Sequence, residues 1–131
     1  MSARRLLLLV AVTALLAVPG NALGADPAAA LPAGWSHAQV NVVGPRGRPH
    51  TLIYDRGRVQ SVGSSALALL ERDGSVVTIQ VAPDAVVRLN GLRTQLASIR
   101  PGDVARTLGV DGRPASKVTA TRPVRPLRRG R

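Results

Sequence analysis

The chain opens on a run of 13 residues, Leu6–Val18, in which Thr13 is the only polar side chain. From residue 35 onward the pattern changes. Apolar and polar positions alternate over short stretches, punctuated by Gly, Pro, Asn and Asp, which is how half-buried strands joined by turns read. Ala38–Val43 is apolar and β-branched, and Gly44-Pro45-Arg46-Gly47-Arg48-Pro49 supplies turn chemistry after it. His50–Tyr54 resumes as a strand, Asp55-Arg56-Gly57 interrupts it, and Arg58–Val62 runs on to Gly63-Ser64-Ser65. Ala66–Glu71 and Ser75–Ala82 flank Arg72-Asp73-Gly74. Pro83-Asp84 breaks the pattern, and Ala85–Leu89 is closed by Asn90-Gly91. Leu92, Leu96 and Ile99 recur at helical spacing, so Arg93–Ile99 is expected to form one helical turn capping an end of the domain. After the tight turn Arg100-Pro101-Gly102-Asp103, the segments Asp103–Val110 and Ala115–Thr121 form a last hairpin around Asp111-Gly112. Arg106 shares a face with Val104 and Leu108 and is expected near an open end, where its head reaches water.

The hairpin at residues 66–82 allows a register prediction. A two-residue turn at Asp73-Gly74 would pair Leu70 with Val77 and Ala68 with Ile79, and put Leu67 and Leu69 on the face of Val76, Thr78 and Gln80. A three-residue loop pairs Glu71 with Ser75, Leu69 with Val77 and Leu67 with Ile79, so that Leu67, Leu69, Val77, Ile79 and Val81 share one side. Burying those side chains is worth roughly 1.5–3 kcal/mol each, and a slip of one residue turns all of them outward. The three-residue loop is therefore predicted, with Gly74 left-handed in a bulge.

About six to seven short strands, one helical turn and no βαβ spacing predict an all-β fold, a small antiparallel barrel of the OB or SH3 kind. Closure removes exposed edges from a domain too small to cover them otherwise. With 131 residues the chain suffices for one domain. Having one Trp, one Tyr and no Phe, it must build its core from Val, Leu, Ile and Ala.

The N-terminus reads as a signal-peptide helix over residues 1–25. Arg4 and Arg5 form a positive start, Leu6–Val18 the apolar run, and Ala22, Gly24 and Ala25 supply small residues for cleavage after Gly24 or Ala25. The run falls short of the roughly 20 residues of a membrane-spanning helix, and no other segment is long enough, so no transmembrane segment is expected once the signal is removed. Residues 26–34 (DPAAALPAG) read as a flexible linker, 35–121 as the β domain, and 122–131 (RPVRPLRRGR) as a disordered Arg/Pro tail. The expected location is exported: extracellular, periplasmic or bound to the cell envelope. There is no cysteine, which excludes disulfides, thiolate metal sites and Cys nucleophiles. A disulfide-free exported domain points to a bacterial secretion route.

The formal net charge is +11. Much of it sits at the C-terminus, where Arg122, Arg125, Arg128, Arg129 and Arg131 fall within ten residues. Such a tail favours anionic partners, an envelope polymer or a phospholipid surface. With Arg46 and Arg48 these arginines are the candidate anion-binding residues.

The stretch Arg58–Thr121 resembles a bacterial family known as domain of unknown function 5666. The resemblance is carried by Arg58-Val59-Gln60-Ser61-Val62-Gly63, the Leu67/Leu69 strand, Asp73-Gly74 with Val76–Val81, and Pro83-Asp84 with Val86. Leu96, the Arg100-Pro101-Gly102-Asp103-Val104 turn and the Asp111-Gly112 hairpin complete it. It implies a small exported barrel-like domain and no activity.

Other motifs add little. Pro45-Arg46-Gly47-Arg48-Pro49 matches the core of an AT-hook, whose arginines enter the narrow minor groove of A·T-rich DNA. Here it joins two strands and follows an export signal, so a basic hairpin loop is the better reading and nucleic acid is the disfavoured partner. Trp35 and Tyr54 are too few for a base-stacking platform. His37 and His50 would meet only if the first hairpin closed between them, and no third metal ligand stands at a telling spacing. No Gly-x-Ser-x-Gly elbow, paired catalytic carboxylates or phosphate-binding Gly loop is present. The expected protein is a non-enzymatic binding or envelope-associated module without cofactor or metal.

Overall fold

The structure, a computed structural model, describes residues 26–125; the signal-peptide reading of residues 1–25 and the tail arginines Arg128, Arg129 and Arg131 lie outside them. Seven strands run β1 (His37–Val43), β2 (Pro49–Val62), β3 (Ala66–Leu70), β4 (Val76–Leu89), β5 (Leu92–Thr94), β6 (Val104–Val110) and β7 (Ala115–Thr121). They form one sheet in the order β1-β2-β3-β4-β7-β6, and β6 pairs back onto β2. Strands β2, β3, β4, β7 and β6 therefore close into a five-stranded barrel, to which β1 and β5 are added on β2 and β4. The fold is the all-β barrel that the alternation predicts. All pairings are antiparallel except β4 with β7, which is parallel. A parallel pair needs a crossover; here β5, a 3₁₀ turn at Leu96–Ser98 and β6 provide it.

Two expected breaks are not breaks. Asp55-Arg56-Gly57 lies inside β2, and Pro83-Asp84 inside β4. Both strands run 14 residues because each serves three partners along its length: β1, β3 and β6 for β2, and β3, β5 and β7 for β4. β2 pairs β1 through residues 49–55 and β3 through 58–62. β4 pairs β3 through 76–80 and β7 mainly through 86–89, with a register shift between Val81 and Val86 where Pro83 needs no ladder partner.

The predicted hairpin register holds. Leu67 faces Ile79 and Leu69 faces Val77. Glu71 N–H donates to Ser75 O at 2.9 Å, and Gly74 is left-handed at φ 85°. Leu67 and Leu69 are fully buried with Val59, Val81, Val87, Ile99, Ala105, Val118 and Ala120, which fill the barrel. The helical turn expected over residues 93–99 is only the short 3₁₀ turn, and Ile99 just beyond it enters the core.

A second apolar cluster lies outside the barrel. The segment read as a flexible linker carries a 3₁₀ turn, Pro27–Ala30, capped by the Asp26 side chain, which accepts from Ala28 N–H at 3.1 Å. Ala28 is buried against Ala38 and Tyr54, with Leu31, Trp35, Val40, Leu52 and Leu108 packed around them. Proline and alanine read as linker because they lack periodicity, yet small side chains are what let this segment lie flat on the sheet. Every strand and both apolar clusters lie between residues 26 and 122. Among the described residues no helix is long and apolar enough to cross a membrane.

Candidate anion-binding surface

The basic residues fall into three groups. Arg46 and Arg48 occupy the exposed loop between β1 and β2. The loop is a closed turn: Gly44 N–H donates to Arg48 O at 2.8 Å and Gly47 N–H to Gly44 O at 3.2 Å, with Arg46 left-handed at φ 67°. That folded turn differs from the extended arm that slides along a minor groove. His50 Nδ1 lies 2.8 Å from Asp111 Oδ2, and Thr51 N–H donates to Asp111 Oδ1 at 2.8 Å, tying the base of the loop to the β6–β7 turn. These two contacts, His50 first, hold the Asp111 carboxyl below its ordinary pKa.

The second group is the C-terminal segment, and its first arginine is not a free cation. Arg122 Nε donates to Asp103 Oδ1 at 2.9 Å, and Nη2 to Asp103 Oδ2 at 3.1 Å and to Ser98 O at 3.1 Å. Arg122 N–H donates to Asn90 Oδ1 at 2.9 Å. Asp103 is 2% exposed, also accepts Arg100 N–H at 2.9 Å, and has its pKa lowered first by Arg122. Arg122 thus clamps the crossover turn to the end of β7, so the first residue of the expected tail is bonded to the domain. Arg125 is exposed.

The third group was not singled out from the sequence. Arg93 stands opposite Arg88, Arg88 opposite Thr119, Thr119 opposite Arg106, and Arg106 opposite Arg56. Residues facing each other across strands point to the same side of the sheet. Their neighbours Val87, Val118 and Ala105 point inward, so this row lies on the outer surface. Lys117, two residues before Thr119, joins it. The parity of each strand was readable, but the pairing of β4 with β7 and of β6 with β2 was not.

The N-terminal segment crosses one part of this row. Asp26 Oδ2 meets Arg106 Nη2 at 2.7 Å, and Tyr54 O–H donates to Asp26 Oδ1 at 3.4 Å. Burial, then Asp26, raises the Tyr54 pKa. Arg106, expected at an open barrel end, instead lies on the outer wall under this cover. A small recess is lined by Asp26, Tyr54, Arg106, Leu108, Lys117 and Thr119. Trp35 meets Tyr54 edge-on at 6.3 Å and 82°, and the Arg56 guanidinium lies 5.9 Å from the Trp35 ring centre. Both aromatics are spent on the cover; Tyr54 is 3% exposed and stacks nothing.

The two histidines do not meet. His37 faces Asp55 and His50 faces Val42, at opposite ends of the β1–β2 ladder. His37 Nδ1 lies 2.7 Å from Asp55 Oδ1, a contact that raises its pKa above 6.5. Glu71 has its pKa raised by burial, while its carboxylate accepts from Ser75 Oγ at 3.3 Å. Among the described residues no three His, Asp or Glu side chains gather as metal ligands. No known protein family, curated protein or solved structure matches the chain.

Proposed function

We propose that this is an exported, non-enzymatic binding module that attaches to anionic material of the cell envelope through its basic surface and tail. The observation behind this reading is the arrangement of charge. Without Arg4 and Arg5 of the leader, basic residues outnumber acidic ones 16 to 7. Four of the seven acids, Asp26, Asp55, Asp103 and Asp111, are paired with an arginine or a histidine of the domain. Arg46, Arg48 and Arg125 stay exposed, and Arg128, Arg129 and Arg131 follow in the sequence. The export-type N-terminus and the resemblance of residues 58–121 to an exported family support the location.

Arg122 is taken up by Asp103, so four tail arginines remain. At about 1 kcal/mol per basic residue near an anionic membrane, they contribute on the order of 4 kcal/mol at low salt. Sedimentation of residues 26–131 with vesicles of anionic phospholipid, beside a form lacking residues 123–131, tests this. The shorter form keeps the Arg122 clamp and should lose at least tenfold in partitioning. Equal partitioning of the two would end the reading. N-terminal sequencing of the exported protein should find Ala25 or Asp26 first.

A further inference from the structure

We infer that the outer row Arg93-Arg88-Thr119-Arg106-Arg56, with Lys117 beside it, is a binding track for a linear phosphate polyanion that wraps around the barrel. The inference rests on the anionic-partner reading above and assigns that partner's shape to a part of the domain other than the tail. Neighbouring strands lie about 4.8 Å apart, so five positions in register span roughly 20 Å. Cations thus recur at intervals of about 5 to 10 Å, near the charge spacing of an extended phosphodiester chain and wider than that of polyphosphate, in which only some of the phosphates would meet a cation.

The curvature decides between a chain and a surface. β4, β7, β6 and β2 are four of the five strands of a closed barrel. A row running across them turns around most of its circumference. A flat bilayer could touch two or three of these side chains at once, whereas a flexible chain can follow them all.

The row is open to such a ligand. Arg56, Arg88, Arg93 and Lys117 are exposed. Arg88 reaches only the carbonyl of Gly91, at 3.3 Å, and Arg56 lies on Trp35. Among the described residues, Arg106 is the one member of the row held by a carboxylate, that of Asp26. Asp26 thus sits where a phosphate of the bound chain would lie, and the chain must displace or share it. Thr119 adds a hydroxyl between Arg88 and Arg106.

The test is a titration of residues 26–131 with long-chain inorganic polyphosphate, a single-stranded oligonucleotide and anionic vesicles, across a salt series. Each phosphate neutralised adds about 0.7 to 0.9 to the slope of log K against log salt. Arg88→Ala with Arg93→Ala should weaken polyphosphate binding at least tenfold and flatten its slope by about 1.5. Arg100→Ala with Arg113→Ala removes the same charge away from the row and should cost less than threefold. Asp26→Asn should tighten binding. Polyphosphate and oligonucleotide responding alike marks the shared phosphate chain as the ligand; a response to one alone names that source. Melting curves confirm that each variant is folded. Unchanged affinity and slope in the Arg88/Arg93 variant, or an equal loss in the control pair, would overturn the track. So would vesicle binding that depends on Arg88 and Arg93 as strongly as polyphosphate binding does. Deleting residues 123–131 separates the two proposals: if that alone abolishes every interaction, the tail reading survives and the track does not.

Discussion

Single side chains show where stability is concentrated. Asp103 is a buried carboxylate whose partners are Arg122 and the backbone of Arg100. Removing it leaves the Arg100 N–H without its acceptor and the Arg122 guanidinium with Ser98 O alone. Hydrogen bonds to charged groups are worth about 1.5–3 kcal/mol, so Asp103→Ala should lower the unfolding free energy by about 2 kcal/mol in urea titration. A loss under 0.5 kcal/mol would show the clamp to be ornamental. Because Arg122 lowers the Asp103 pKa, this stability is present above the unfolded carboxyl pKa of about 3.9. It is lost as pH falls through the folded value. Asp103→Asn should therefore flatten the acid limb of the stability curve below about pH 4. His37 has the opposite sign. Its pKa is raised, chiefly by its contact with Asp55, so its contribution is complete below pH 6.5 and fades as pH rises through the folded value. Glu71 from the β3–β4 loop adds to the same field. An NMR titration should place the His37 midpoint above 6.5, and Asp55→Asn should bring it down.

Strands show why some residues mislead when read locally. Gly57 resembles a turn residue after Asp55-Arg56, but it sits inside β2 where β3 comes closest. A Cβ there would lie 2.6 Å from Leu70 O and 3.0 Å from Leu70 C, both backbone atoms that cannot swing aside. Gly57→Ala should destabilise by about 1–3 kcal/mol, the cost of overpacking, despite the entropy that alanine removes from the unfolded chain. At Gly63 the nearest atom to a Cβ is 3.6 Å away, so Gly63→Ala should be neutral or slightly stabilising. Equal melting temperatures for the two variants would refute the close-approach account. The same contrast explains what was legible. The 66–82 register could be read because Leu67, Leu69, Val77 and Ile79 make every other register costly. Gly57 and Pro83 could not, since a glycine for a turn and a glycine for close packing look alike without the partner strand. Nor could the candidate site: Arg46 and Arg48 stand out as a motif, while the row from Arg93 to Arg56 exists only once β4 meets β7 and β6 meets β2.

At the scale of the whole molecule, two apolar clusters of unequal size sit on opposite sides of one sheet. The barrel core closes on itself through long-range pairings, so it should unfold as a unit. The outer cluster buries only Ala28, Ala38 and Tyr54 fully, and its cover is one segment held by the Asp26 cap, the Asp26–Arg106 ion pair and Trp35. Few buried contacts and solvent-accessible hydrogen bonds mark a region that opens at low cost. The cover should therefore detach before the barrel melts. The single tryptophan makes this measurable: Trp35 belongs to the cover, and its emission reports the cover alone. In a denaturant titration, the shift of Trp35 emission should come at lower concentration than the loss of the β signal in circular dichroism. Asp26→Ala removes the cap, the ion pair and the acceptor of the Tyr54 hydroxyl together, so it should move the fluorescence transition and leave the other nearly in place. Coincident transitions in both proteins would mean that cover and barrel form one cooperative unit. Asp26 would then be part of the fold's foundation, and could not serve as a counter-ion that gives way at the centre of the basic row.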